Sequence, residues 1–211
     1  MVIAFDLDDT LFFEIDFVRS AYQTIAKRYG GHLLAGMLSA LTPADAFDST
    51  GIPIEELLSI YRTHFPDIRL PWQSLYTLSV LRRQGHKLAL ITDGRELTQR
   101  NKIEALGLGR FFEPSNVFIS ESFGHLKTDG EAFRALMSSY PGEIYMYIGD
   151  NPAKDIAAPR SLGWTTVCIR DSGQNVHRQD FTLLSPDYIL PSVLNLLDIV
   201  PLEQFHQKKH R

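Results

Sequence analysis

Short runs of apolar or β-branched residues recur along the chain at Val2 to Phe5, Lys87 to Thr92, Ile144 to Ile148 and Thr165 to Ile169, each bounded by Gly, Asp or other polar residues. Such runs predict short strands buried on both faces, as in a parallel sheet. Between them the spacing becomes helical: Trp72, Leu75, Tyr76 and Leu81 before Gly85, then Leu97, Ile103 and Leu106 before Gly107, then Phe133, Leu136 and Met137 before Pro141. Strand alternating with helix predicts an α/β fold, a doubly wound Rossmann-like parallel sheet with helices on both faces.

From about Phe13 to Ile68 the alternation stops, and the pattern is helical throughout. Phe17, Ala21, Ile25 and Tyr29 mark one helix ended by Gly30-Gly31, and Ile54, Leu57, Leu58 and Tyr61 mark another before Pro66. The expected organisation is a core domain made of residues 1–11 and 70–211, with a helical cap domain, residues 12–69, inserted after the first strand. An insertion there normally roofs the pocket and contacts the part of a substrate away from the chemistry. Phe13, Glu14 and Arg19, with Phe12, are the candidate hinge and substrate contacts. Core packing is the alternative for the two aromatics, and a surface ion pair is the alternative for Glu14 and Arg19.

Composition narrows the partners. The 211 residues carry a formal charge of −4, which gives no general attraction to nucleic acid or an anionic membrane. The lone Cys168 sits in an apolar run and cannot form an internal disulfide, which fits a reducing cytoplasm. The first residues reach Asp6 without a basic flank or a long apolar stretch, and they predict a strand instead of an export signal. The basic tail His206 to Arg211 reads as a solvated end. Oligomeric state is not legible.

Candidate chemistry gathers where strands end. Asp6 and Asp8 follow the first strand, at the edge where open α/β sheets bind ligands. Carboxylates so close are tolerated mainly beside a cation, and oxygen ligands of this kind suit Mg²⁺. A polar strand end or helix cap is the plain alternative. The second strand runs into Thr92-Asp93-Gly94 ahead of a helix, offering a hydroxyl and free amides to an anion, or simply an N-cap at Asp93. The third ends in Gly149-Asp150, with Asp155 nearby, and Lys127 could reach the same pocket. The seven histidines form no close-spaced metal set, and no Gly-x-Ser-x-Gly elbow is present.

Asp6-x-Asp8-x-Thr10, Thr92-Asp93-Gly94, Lys127 and Gly149-Asp150-x-x-x-x-Asp155, in this order, resemble the haloacid dehalogenase (HAD) superfamily. The family's lysine is commonly followed by Pro, and Thr128 stands there instead. The resemblance implies that Asp6 is the nucleophile, Asp8 the general acid and base, and Thr10 a support for their loop. It also implies that Thr92, with the amides of Asp93 and Gly94, holds the phosphoryl group, and that Lys127 neutralises Asp6 and phosphate. Asp6, the Asp8 carbonyl and Asp150 would bind Mg²⁺, with Asp155 as ligand or outer partner.

Lys102 competes for the lysine role but reads as a helix-surface residue, and Asp9 reads as a solvated or capping carboxylate. The function so implied is a Mg²⁺-dependent phosphatase acting on a small phosphorylated metabolite through a phosphoaspartyl intermediate. A HAD-type phosphomutase or dehalogenase, or a binding protein on the same scaffold, are the alternatives. Asp8 weighs against a dehalogenase, because departing halide needs no proton.

Overall fold

A computed structural model describes residues 1–40, 42–182 and 184–200; the basic tail lies outside them. Six strands form one sheet in the order β3-β2-β1-β4-β5-β6: β1 Val2–Phe5, β2 Lys87–Thr92, β3 Val117–Ile119, β4 Tyr145–Gly149, β5 Thr165–Ile169 and β6 Tyr188–Leu190. Every adjacent pair is parallel, so every strand delivers its carboxyl end to the same edge. Phe5 stands beside Leu90 on one side and Ile148 on the other, which brings the residues after these strands together.

Successive side chains of a strand point to opposite faces, and both faces are covered. Ile3, Phe5, Leu88, Leu90, Met146 and Ile148 pack under α5 (Trp72–Arg83), α6 (Glu96–Ala105) and α11 (Leu196–Ile199). Val2, Ala4, Ala89, Ile91 and Tyr147 pack on the other face, under α8 (Glu131–Ser139) and α10 (Ala157–Ser161). Two short helices stand at the strand ends, α7 (Ser120–Phe123) after β3 and α9 (Pro152–Asp155) after β4.

Between β1 and α5 the elements among the described residues are helices: α1 Glu14–Tyr29, α2 Leu33–Ser39, α3 Pro43–Asp48 and α4 Ile54–Thr63. They bury an apolar cluster of their own around Val18, Tyr22, Ile25, Met37, Phe47 and Leu57. Phe17, one residue before Val18, joins the core under the sheet instead, so α1 packs into both clusters. No helix among the described residues is long and apolar enough to cross a membrane.

Several local expectations are corrected. The third predicted strand runs from Tyr145 to Gly149, and Ile144 is exposed. Strands β3 and β6, of three residues each, gave too short a signal to be read. On α5 the buried stripe is Ser74, Thr77, Leu78 and Leu81, whereas Trp72, Leu75 and Tyr76 face outward. The Ser74 hydroxyl donates to the Leu11 carbonyl at 2.7 Å and that of Thr77 to the Val193 carbonyl at 3.3 Å, so small polar residues approach the backbone where rings would not fit.

Candidate active site

The loop after β1 carries Asp6, Asp8 and Asp9. Asp9 has φ +52°, the one positive value at a non-glycine position among the described residues, in a region that Asp enters at modest cost. The Leu11 amide closes this turn onto the Leu7 carbonyl at 3.0 Å. Asp9 accepts from the amides of Glu14, at the start of α1, and Val176, at 2.8 and 2.9 Å. Its role is therefore a cap and a tether, and it is buried instead of solvated. Thr10 is buried too, but its hydroxyl has no partner among the described residues.

Asp6 meets Lys127 and Asp155 at the carboxyl edge of the sheet. The Lys127 ammonium donates to Asp6 Oδ2 at 2.8 Å and to Asp155 Oδ1 at 2.7 Å, and all three residues are buried. Asp155 also accepts from the Tyr147 hydroxyl at 3.3 Å and the Asn151 amide at 2.8 Å. A Cβ on Gly149 would collide with the Asp155 carboxylate, so only glycine lets that side chain fold back under the strand end.

Asp6, Asp150 and Asp155 each offer a carboxylate oxygen, and these oxygens lie within 4.8 Å of one another. Burial pushes the Asp6 carboxyl up to about 7, against Lys127 and with Asp155 adding to the rise. Burial, then repulsion from Asp6, pushes Asp150 up to about 9. Burial disfavours the charged Lys127, but Asp155 and Asp6 outweigh it and hold the ammonium well above its usual range. One lysine thus leaves the crowded carboxylates undercompensated. Their hard oxygen donors fit a divalent cation such as Mg²⁺.

The expectation for Asp8 concerns its backbone carbonyl, and its carboxylate does not belong to that group. It turns to α6, where Lys102 Nζ donates to Oδ1 at 2.6 Å and Gln99 Nε2 to Oδ2 at 2.9 Å. Lys102 is therefore not a helix-surface residue. It is buried, its ammonium lies 4.3 Å from the centre of the Phe17 ring, and Glu14 stands 3.8 Å away. Gln99 and Lys102 lie one turn apart on the face that also carries Ile103 and Leu106, a spacing that could have revealed both.

Thr92 is buried, and its Oγ1 accepts from Gln99 Nε2 at 2.8 Å. Asp93 is not the N-cap of α6, which begins after Arg95; its carboxylate accepts the Lys127 amide at 3.0 Å. The Gly94 amide, expected on phosphate, donates to Ser120 Oγ at 3.0 Å. Glu14 lines a cleft with Asp6, Thr92 and Lys127. Phe13 lines a separate cavity with Leu11, Pro71 and Val193, and Phe12 is buried in the core. Arg19 is exposed and pairs with Asp16 at 3.2 Å, because α1 turns Phe17, Val18 and Ala21 inward instead.

Residues after β5, which no motif announces, complete the rim together with Lys154 of α9. Asn175 Nδ2 donates to Asp150 Oδ2 at 2.9 Å, Gln179 Nε2 donates to the Asp150 carbonyl at 2.7 Å, and His177 and Lys154 line the cleft. Cys168 is buried as expected, beside the Asp150 carbonyl.

The family model of haloacid dehalogenase-like hydrolases matches residues 3–169. This chain belongs to that family. It is 28% identical over 232 residues to a glyceraldehyde 3-phosphate phosphatase of Methanocaldococcus jannaschii, covering 94% of this chain and 96% of the relative. A pyrophosphatase PpaX of Halalkalibacterium halodurans is 26% identical, with 94% and 95% covered. Among solved structures, a HAD phosphatase from Thermococcus onnurineus superposes with a TM-score of 0.62 at 23% identity, over 96% of this chain and 98% of that one. The last likeness bears on the fold alone, and it agrees with the doubly wound sheet.

Proposed function

We propose that this HAD-like hydrolase is a Mg²⁺-dependent phosphatase that passes the phosphoryl group of a small phosphorylated metabolite to Asp6 and then to water. The observation that carries the reading is the buried Asp6 carboxylate, held by Lys127 at 2.8 Å within a group of three carboxylates. Its relatives of matching length are phosphatases, which supports the same chemistry.

Asp6 attacks phosphorus while the ester P–O bond breaks and the leaving oxygen takes a proton from Asp8. Water then gives a proton to Asp8 and attacks phosphorus, and the bond to Asp6 breaks. A carboxylate approaching a phosphate dianion is repelled, so Lys127 and the Thr92 hydroxyl must meet the developing charge. Asp6 and Asp150, with the Asp8 carbonyl, would hold Mg²⁺, which when bound supplies the remaining positive charge. Asp155 acts as the outer partner that aims Lys127, since its oxygens already take Lys127, Tyr147 and the Asn151 amide.

Asp8 has to leave Lys102 and Gln99 to reach the leaving oxygen, and the helical segment roofs this step as a cap. An acid at this position favours an alkoxide leaving group over halide, and therefore a phosphatase over a dehalogenase. A reducing cytoplasm suits the single buried cysteine.

Phosphate release from an aryl phosphate is expected to need Mg²⁺ and to vanish with chelator or Asp6→Asn. Activity that survives both would overturn the mechanism. Asp8→Asn is expected to slow turnover while Mg²⁺ still binds, and unchanged turnover would remove Asp8 from its role.

A further inference from the structure

The catalytic cleft opens sideways into a second cleft between α4 and α6, the two sharing Asp8, Glu14 and Asp93. Tyr61, Arg62, Arg95, Thr98 and Lys102 line the new part. The two helices are fastened there: the Thr98 hydroxyl donates to the Arg62 carbonyl at 2.8 Å, and Asn101 Nδ2 donates to the carbonyls of Thr63 and His64 at 3.2 and 3.1 Å. Arg62 is thus a half-buried cation on a fixed element that lines the side cleft.

Arg62 also lines a neighbouring cavity with Glu55 and Glu121, but at no ion-pair distance. Among the described residues no carboxylate pairs with Arg62. The three acidic groups that face the cleft are otherwise engaged. Asp8 takes Lys102 and Gln99, and Asp93 takes the Lys127 amide. Glu14 stands 3.8 Å from the Lys102 ammonium. Arg95 is exposed at the rim and pairs with Glu121 at 3.6 Å.

We propose that this side cleft is a second anion subsite, in which Arg62 and Lys102 recognise a carboxylate or second phosphate on the part of the substrate that is released. The proposal rests on the phosphatase reading and narrows it to doubly anionic substrates. An arginine fork and a lysine point charge both suit such groups. Lys102 gives the subsite a second effect. A substrate anion that reaches its ammonium competes with Asp8 and frees that carboxylate for the leaving oxygen. The second anion should therefore raise turnover as well as tighten binding.

The test compares ethyl phosphate with phosphoglycolate, which has a carboxylate in place of the methyl group, and with inorganic pyrophosphate. Wild-type kcat/KM in Mg²⁺ is expected to favour one or both doubly anionic probes by at least about tenfold, the scale of one charge-assisted hydrogen bond. Preference for phosphoglycolate identifies a carboxylate as the second group, and preference for pyrophosphate identifies a phosphate. Arg62→Gln and Lys102→Gln should each collapse the ratio, the latter mainly through kcat. Equal constants for all three probes, or a ratio untouched in both variants, would overturn the subsite and leave the phosphatase standing.

If none of the probes is hydrolysed, calorimetric binding to Asp6→Asn in Mg²⁺ decides separately. Tighter binding of a doubly anionic probe than of ethyl phosphate, lost in the added Arg62→Gln change, upholds the subsite even as the phosphatase reading falls. No difference overturns both.

Discussion

Two buried lysines serve alternate residues of the loop after β1, and each stands between two carboxylates. Lys127 joins Asp6 and Asp155, whose side chains are 8% and 2% exposed. Lys102 joins Asp8 and Glu14, at 20% and 21%. The first cluster is built wholly from core elements and is the more deeply buried, at the floor of the cleft. The second reaches from α6 to α1, across the boundary with the inserted helices, and water touches it. A deeply buried ion cluster can hold a nucleophile still, whereas a wetter one spanning a boundary can let its carboxylate go. The contrast matches the proposed roles, fixed positioning for Asp6 and exchange for Asp8.

The sharpest way to break this contrast is at Asp6, the proposed nucleophile. Asp6→Asn is expected to lower turnover by about 10⁴-fold or more, while Asp8→Asn should lower it by roughly 10²–10³-fold, within the range of one assisted proton transfer. Steady-state phosphate release measures both, and equal losses would erase the distinction.

Stability is the next discriminator. Lys127→Met leaves two buried carboxylates without their cation and should cost about 3–5 kcal/mol in metal-free protein. Lys102→Met should cost about 1–2 kcal/mol, since Asp8 keeps Gln99 and some water. Urea unfolding reads the difference, and a costlier Lys102 change would reverse the assignment.

The third test is pH. Asp6 and Asp150 titrate at about 7 and about 9 in the folded chain against an ordinary 3.8. Across that interval the folded state holds protons that the unfolded state has lost, so metal-free stability should fall as pH rises from the ordinary carboxylate range toward 9. Mg²⁺ must displace those protons, so its affinity should weaken below pH 7. Calorimetry in buffers of different ionisation heat checks this, and binding without proton release would contradict it. The smallest expected effect is that of Asn175→Ala, which removes one hydrogen bond from Asp150 and should weaken Mg²⁺ by about tenfold.

Asp6, Thr92 and Asp150 were legible because a parallel sheet puts all its strand ends at one edge, and apolar runs mark where strands end. Lys127 was legible only through the company it keeps, since a buried lysine and a surface one are spelled alike. Lys102 was misread for the same reason. The outward turn of Trp72 and Tyr76 was hidden because hydrophobicity does not reveal that Ser74 and Thr77 have backbone carbonyls to reach. Asn175 and Gln179 lie in a loop whose path over Asp150 depends on tertiary contacts that no local pattern encodes.

The Gln99 amide nitrogen has two hydrogens to give and stands near Asp8 Oδ2, Thr92 Oγ1 and the Asp93 carbonyl at 2.9, 2.8 and 3.2 Å. Demand exceeds supply by one acceptor. If Asp8 swings away as proposed, the hydrogen it gives up finds the Asp93 carbonyl already within reach, so the departure would strand no donor. Thr92, receiving from Gln99, keeps its own hydroxyl hydrogen free to offer to an incoming oxygen. A single glutamine thereby lets one neighbour move while the other stays primed.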